Sequence, residues 1–419
     1  MKIEKKLWII LFAFGIFAIC FSGWIFRQST AREKLFWDNT IRCETKELKE
    51  GEIKAENIAL PKDFDVPKSI LFKTTHTIAE VWLDGEKIYE YGNEADAPGF
   101  MKTPGSCWHI VDIPGDSSGK NLEVRIIPVY EGYYGNEVSL VYGTRGDCIL
   151  KILTDSLGIP VISCGILFAA VICILLYCGA ARRKRSDKTE AKIEIFLNLG
   201  FFSLLVAVWT LVQCGFLQFL IPDGRTLYFV EYFSLFLFPV PFNFLLYDIC
   251  KSRYHKGALI FSILYLANMA VDVLLQCTGI IDMSRLLSVI HVIMVANVVY
   301  TVVIILYEAG KKENDVAQKF RYPMCVVMGF GMAEMIFYYL RRFEQISILL
   351  SMGTMLFIIM LIWIQVSQYY DQYIQKQKVI YLQKIANMDM LTEAMNRNAY
   401  EDMVKYCLLY TSDAADDLT

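Results

Sequence analysis

Hydrophobic positions along the chain form two patterns: long apolar blocks, and short alternating runs confined to residues 28–155. The first block, residues 7–26, contains no charged residue and follows a short basic segment. A helix needs about 20 apolar residues to cross the ~30 Å hydrocarbon core of a bilayer. The block therefore predicts a transmembrane anchor within residues 1–27. A cleaved signal peptide is the alternative, and the absence of a small-x-small cleavage site favours the anchor.

Residues 28–155 carry many charges, most of the prolines and short alternating runs. Two runs, 80–83 and 87–91, flank Asp84 and Gly85, which is typical of a β-hairpin. Further strands are predicted at 69–73, 108–113, 122–129 and 138–142. Many short strands separated by Gly and Pro turns favour an all-β sandwich of jelly-roll type.

Seven apolar blocks follow in residues 156–368, and they predict a membrane all-α bundle. They cover residues 157–179, 195–221, 227–250, 257–280, 285–307, 322–340 and 345–368. Helices of a soluble core would show a polar stripe at helical period, whereas these blocks are apolar on nearly every face. With the N-terminal anchor, the chain is predicted to span the membrane eight times.

Basic residues alternate between the connections of these blocks. The basic connections contain Arg182, Arg183, Lys184, Arg185, Lys188 and Lys192, then Lys251, Arg253 and Lys256, then Lys311, Lys312, Lys319 and Arg321. The intervening connections are poorer in Lys and Arg. Since cytoplasmic loops carry the excess of Lys and Arg, both termini are predicted to be cytoplasmic and the β-sandwich to lie outside.

Composition argues against nucleic acid and metal as partners, and it does not decide whether the cysteines form a disulfide. Net charge is −3, so no strongly basic surface indicates nucleic acid. The four His and the scattered Cys have no metal-ligand spacing, and no metal is expected. Cys43, Cys107 and Cys148 lie in the predicted outer domain. Three cysteines can form at most one disulfide, and the sequence does not select a pair.

Candidate ligand-binding residues in the outer domain are aromatic, because aromatic faces suit sugar binding. They are Trp82, Tyr89, Tyr91 and Trp108, with Tyr130, Tyr133 and Tyr134 in the same set. The alternative is that these side chains form the core of the sandwich or its rim.

Polar candidates within the bundle are Glu231, Asp272, His291 and Glu334, accompanied by Asn243, Asn268 and Asn297. Ionisable residues at membrane depth are costly and usually face the protein interior. Glu334 is predicted near the middle of its span, and Asp272 and His291 are placed where they can meet near the outer side. The alternative is that these groups only hold the helices together by hydrogen bonds.

Residues 369–388 lack Gly and Pro and predict a helical linker after the last block. The segment that follows carries Asp389, Leu391, Thr392, Asn396, Arg397 and Tyr400. This segment resembles the opening of a GGDEF domain, the diguanylate cyclase module, with its D-x-L-T-G-L-x-N-R pattern. Glu393 and Ala394 depart from the usual Gly-Leu. The alternative is a plain amphipathic helix.

The whole plan is similar to bacterial seven-transmembrane receptors with an extracytoplasmic jelly roll and an intracellular output. That resemblance implies a multi-pass protein of the bacterial plasma membrane that pairs as a homodimer through its cytoplasmic linker. It also implies an intact parent that makes cyclic di-GMP from two GTP with Mg²⁺. The sandwich resembles the sugar-binding type found in such receptors, which implies an outer ligand with carbohydrate as the candidate class. A receptor with a different or degenerate output is the alternative.

The GGDEF-like start, residues 389–406, is too short for the domain. A domain of this kind needs about 160 residues, and only about 30 follow Asn387. Residues 407–417 resemble the translation of a transposon-type sequencing adapter, so residues 407–419 are expected to be an artefact. No residue of this chain is therefore assigned a catalytic role. A transporter that uses Glu334 and Asp272 is a further alternative, although no internal repeat supports it.

Overall fold

The computed structural model describes residues 41–43, 53–60, 67–93, 98–130, 138–156, 158–184, 194–311, 313–340 and 347–387, with 396–397, 400–401, 403–405 and 407. Two compact units divide the chain, Met1–Ile358 and Ile359–Thr419. The first contains the β-sheet region and most of the apolar helices.

Eight strands form the β-sheet region within the described residues, and they confirm that it is built from short strands. The strands are β1 (Ile41–Cys43), β2 (Lys54–Ala59), β3 (Lys68–Thr75), β4 (Thr77–Leu83), β5 (Glu86–Tyr91), β6 (Ser106–Ile113), β7 (Asn121–Pro128) and β8 (Val138–Gly143). They pair as two antiparallel four-stranded sheets, in the orders β1-β8-β3-β6 and β2-β7-β4-β5.

Alternating burial explains why these runs are strands. Along β4, buried and half-buried residues alternate, so one face packs inward and the other faces outward. The β4–β5 hairpin turns on Asp84 and Gly85, whose φ angles are +47° and +86°, as a two-residue type I′ turn requires. The inward faces of both sheets share one core, which includes Ile70, Phe72, Val81, Val111, Val124 and Ile126. The two sheets therefore pack face to face.

Nine α-helices follow between residues 145 and 387 of the part of the chain that the structure describes. They are α1 (Arg145–Ser156), α2 (Gly158–Lys184), α3 (Glu194–Gln213), α4 (Gly224–Leu237), α5 (Pro239–Ile249), α6 (Lys256–Cys277), α7 (Leu287–Gly310), α8 (Asp315–Leu340) and α9 (Ile348–Asn387). Short 3₁₀ turns at Phe216–Phe219, Arg253–His255 and Met283–Leu286 precede α4, α6 and α7. Pro239 separates α4 from α5, since a proline inside a helix removes a hydrogen bond and clashes with the preceding turn.

Six helical segments of the described chain are long and apolar enough to cross a membrane, which indicates a membrane protein. They are Gly158–Gly179, Glu194–Gln213, Gly224–Ile249, Arg253–Cys277, Met283–Gly310 and Asp315–Leu340. Each corresponds to one of the first six predicted blocks. The seventh block coincides with the apolar segment Ile348–Ile364, which is shorter than those six, at the start of α9.

Several predictions lie wholly or partly outside the described residues: the N-terminal anchor, the side chain of Cys43, Tyr133, Tyr134, the motif residues Asp389, Leu391 and Thr392, and residues 408–419. Cys107 and Cys148 are buried free thiols, so a disulfide between these two is not formed. The predicted linker, 369–388, falls almost entirely in α9.

Candidate functional site

Trp82 lies on the outward face of the β2-β7-β4-β5 sheet and is held by charged neighbours. The Arg125 guanidinium lies 4.4 Å from the centroid of the indole ring, and the Lys87 ammonium lies 5.4 Å from it. The indole Nε1 donates to Glu80 Oε2 at 2.9 Å. Trp82 is thus a half-buried part of a charged surface network rather than a bare stacking platform.

Tyr89 and Tyr91 surround His109 instead of facing outward together. Tyr89 Oη lies 2.9 Å from His109 Nδ1, and Thr74 Oγ1 lies 2.6 Å from Nε2. The Tyr91 ring meets the imidazole edge to face, with 4.8 Å between centroids, and its hydroxyl donates to Pro104 O at 2.9 Å. These two tyrosines therefore act as packing and hydrogen-bonding groups at the rim of the sandwich.

The buried imidazoles make stability depend on pH. Burial lowers the pKa of His109 to about 3 and that of His76 to about 4. Below about pH 6.5 the unfolded chain binds protons on both imidazoles that the folded protein excludes. We expect the free energy of unfolding to fall as pH drops from about 6.5 towards 4, by ~1.4 kcal/mol per pH unit for each imidazole.

Thermal unfolding in detergent between about pH 7 and pH 5 measures this dependence. A His109→Asn variant isolates the contribution of one imidazole, because every other titrating group stays in place. Its unfolding midpoint should vary less steeply with pH than that of the wild type. Equal slopes for the two proteins would show that His109 does not remain neutral in the folded state.

Trp108 joins the sandwich to the helices through its backbone. Gln218, in the 3₁₀ turn after α3, accepts from Trp108 N at 2.8 Å and donates to Trp108 O at 2.6 Å. The Lys73 ammonium lies 5.7 Å from the centroid of the indole ring. The Trp108 indole also packs on Gly215, where an added Cβ would lie 2.8 Å from Cδ1. Gly215 also has φ +75°. Glycine therefore suits this position because it has no Cβ to clash with the indole and because it adopts a positive φ without strain.

A second contact between the sheet region and the helices centres on Gln276, near the end of α6. Gln276 Nε2 donates to Phe100 O and to Asp282 Oδ1, both at 2.6 Å. Asp282 in turn accepts a hydrogen bond from Tyr130 Oη. Tyr130 and Phe100 belong to the sheet region, so this buried network fastens two of its loops to the helices.

Tyr228 of α4 continues this network. Its hydroxyl donates to Gln276 Oε1 at 3.2 Å and accepts from Ser284 N at 3.0 Å. His76, buried between β3 and β4, meets the Tyr228 ring edge to face at 5.8 Å and bonds Thr103 Oγ1 through Nδ1 at 2.8 Å. The backbone of His76 has φ +53°, an uncommon conformation for a residue other than glycine.

The predicted polar residues of the bundle each have a local partner. Glu231 Oε1 accepts from Gln213 Nε2 at 2.7 Å, and Asp272 Oδ2 accepts from Asn268 Nδ2 at 2.6 Å. His291 Nδ1 lies 2.9 Å from Tyr339 Oη. Asp272 and His291 thus have separate partners rather than a shared site. Asn297 links Asn243, at 3.0 Å, to Tyr265, at 3.3 Å.

Glu334 is a helix cap rather than a mid-membrane carboxylate. It lies within the last two turns of α8, which ends at Leu340. Its carboxylate accepts from the backbone N–H groups of Ser347, Leu349 and Leu350 at 2.7, 2.8 and 3.1 Å. These N–H groups begin α9 and have no partner within the helix.

Sequence reasoning missed Gln218, Gln276, Tyr228 and Asp282, which make the principal contacts between the sheet region and the helices. The sequence held a signal for them, because all four lie within four residues of an end of a predicted apolar block. Among the residues that the structure describes, no group of three or more His, Cys, Asp or Glu is arranged to hold a metal ion. No protein-family model, curated protein or solved structure matches this chain.

Proposed function

We propose that this chain is the sensor and transducer of a transmembrane receptor whose intact parent makes cyclic di-GMP from two GTP through a C-terminal GGDEF domain. One observation carries the proposal. The sheet region is hydrogen-bonded to the helices by Gln218 and Gln276, and Gln276 is only 1% exposed. A displacement of the sandwich would therefore move the connections of the helices with it.

The strand order supports a sensor role for the sheet region. Orders β1-β8-β3-β6 and β2-β7-β4-β5 agree with a jelly roll, an eight-stranded fold made of two Greek keys. In the proposed topology the sandwich lies outside the bacterial plasma membrane, with both termini in the cytoplasm. The distribution of Lys and Arg among the connections supports that orientation.

The length of α9 supports an output role for the C-terminal segment. This helix runs without a break from Ile348 to Asn387, from the seventh apolar block to the segment that resembles a GGDEF start. In the intact parent, pairing of two such helices would bring two GGDEF domains together, each with one GTP and its Mg²⁺. Ligand binding would change this pairing only by favouring one arrangement of the helices over the other.

Coupling through Gln218 is tested by Gln218→Ala in the intact parent. The alanine cannot bond Trp108, so we expect basal cyclic di-GMP in cells to change at least threefold, since ~0.65 kcal/mol of state preference is a threefold change. Cyclic di-GMP is measured by mass spectrometry at matched protein amounts in the membrane. Gln318→Ala is the matched control, because Gln318 is a half-buried glutamine on α8 that bonds Lys311 O, and it should leave output unchanged.

The coding sequence beyond the codon for Tyr406 tests whether the parent encodes a cyclase, before any activity is measured. A Gly-Gly-[Asp/Glu]-Glu-Phe loop there supports an active cyclase. Its absence would refute a cyclase and leave a receptor with a different or degenerate output. Unchanged cyclic di-GMP in Gln218→Ala, with the loop present, would contradict the proposed route from sandwich to helices.

A further inference from the structure

A cavity of about 250 Å³ lies where the sandwich, α1 and the turn after α3 meet. Its apolar walls come from Ile110 of β6, Ile149 of α1 and Phe219 of the 3₁₀ turn. Trp108, Arg145 and Gln218 supply the polar groups of the lining. The volume is just below the ~300–1,000 Å³ of typical small-molecule sites, which are likewise apolar with a few placed polar groups.

The polar lining groups that remain available to a ligand are donors. Trp108 Nε1 is buried and has no hydrogen-bond acceptor, although a buried indole N–H usually finds one. Both polar atoms of the Gln218 side chain are occupied by the backbone of Trp108. A ligand atom that accepts a hydrogen bond would therefore satisfy the indole.

Arg145 supplies positive charge at the same cavity. Its guanidinium bonds Asp112 Oδ2 at 2.6 Å, and the two side chains are 62% and 61% exposed. An exposed ion pair of this kind contributes little to stability. The guanidinium has five N–H donors, so it can hold a second carboxylate while it keeps Asp112.

We propose that this cavity is the ligand site of the receptor, and that it takes a small carboxylic acid with an apolar body. The carboxylate would accept from Trp108 Nε1 and pair with Arg145, and the body would fill the space between Ile110, Ile149 and Phe219. The ligand would touch a strand, the helix α1 and the turn before α4 at once. The sensing part of this inference rests on the proposed function, whereas binding itself does not.

The test uses the full chain in detergent with 4-fluorobenzoate and 4-fluorophenylacetate as probes, followed by fluorine NMR line broadening. We expect saturable broadening by both acids and none by 4-fluorobenzylamine, a cation of similar size. Ile149→Phe fills the cavity and should weaken binding at least tenfold. Trp108→Phe removes one donor to the carboxylate and should weaken binding by about tenfold to a hundredfold, the range for one hydrogen bond to a charged group.

Leu150→Phe is the matched control, because Leu150 is the next residue along α1 and is 57% exposed. It should bind the acids as the wild type does. If Ile149→Phe fails to fold, Phe219→Trp fills the same cavity from another wall. Absence of saturable broadening by the acids, or equal broadening in the filled variants, would overturn the proposal.

Signalling is read separately from binding. Acid binding with unchanged cyclic di-GMP in an active parent would overturn the sensing role of the cavity. A parent without cyclase activity would refute the proposed output, and the binding measurement on this chain would still decide whether the site exists.

Discussion

Replacing Gln276 by leucine is expected to lower the free energy of unfolding by about 4 kcal/mol. Leucine has a similar volume, so the change removes hydrogen bonds without opening a large cavity. Gln276 donates to Phe100 O and Asp282 Oδ1 and accepts from Tyr228 Oη and Met283 N. Each buried group left without a partner costs about 1–3 kcal/mol, and Gln276 is only 1% exposed.

Thermal unfolding in detergent measures this effect, with Gln318→Leu as the matched control. Gln318 is a half-buried glutamine on α8 whose side chain donates a hydrogen bond to Lys311 O at 3.2 Å. The same substitution there should lower the free energy of unfolding by no more than about 1 kcal/mol, the value of one ordinary hydrogen bond. If Gln276→Leu changes stability as little as Gln318→Leu, the network around Gln276 does not hold the sheet region to the helices.

The loss of Gln276 should also loosen the sandwich, because Phe100 belongs to the sheet region and Asp282 to the helices. Tyr130 would still bond Asp282, and Gln218 would still bond Trp108. We therefore expect partial release, seen as faster proteolysis of the loop that holds Phe100 while the helices stay folded. Little change in proteolysis would indicate that the hydrogen bonds of Tyr130 and Gln218 suffice to hold the sheet region to the helices.

Local periodicity accounts for what the sequence could predict of the fold. The alternation in β4 and the unbroken apolar run in α2 depend on neighbouring residues alone, so both elements are predictable from short windows. The predicted ends of the helices were less accurate where a turn of the backbone stops a helix inside an apolar block. The block 195–221 contains α3, which ends at Gln213, because Gly215 turns the chain with φ +75°.

The site was harder to predict because its contacts join distant parts of the chain. Trp108 and Gln218 are 110 residues apart, and Phe100 and Gln276 are 176 residues apart. Composition identifies Trp108 as a candidate ligand-binding residue, but it cannot show that a glutamine forms two hydrogen bonds with its backbone. Tyr89 and Tyr91 were chosen as aromatic binding residues, whereas the structure packs them around the buried His109.

Glu334 separates the receptor proposal from the transporter alternative. Glu334→Ala is expected to lower the free energy of unfolding by about 3 kcal/mol, because charge-assisted hydrogen bonds contribute ~1.5–3 kcal/mol each and helix caps ~0.5–2 kcal/mol. The negative charge of the carboxylate also interacts favourably with the positive N-terminal end of the α9 dipole. Glu334→Gln keeps one accepting oxygen and should lose about half as much.

The measurement is thermal unfolding in detergent, and Glu313→Ala serves as the control because Glu313 is an exposed glutamate. If Glu334 is a helix cap, Glu334→Gln should be less stable than the wild type and Glu334→Ala less stable still, whereas Glu313→Ala should match the wild type. A proton carrier predicts that Glu334→Gln stays as stable as the wild type, since its role would be titration and not capping. The carboxylate contacts three backbone N–H groups at 2.7–3.1 Å, so we expect the stability order that a helix cap predicts. Equal stability of Glu334→Gln and the wild type would instead favour the transporter alternative.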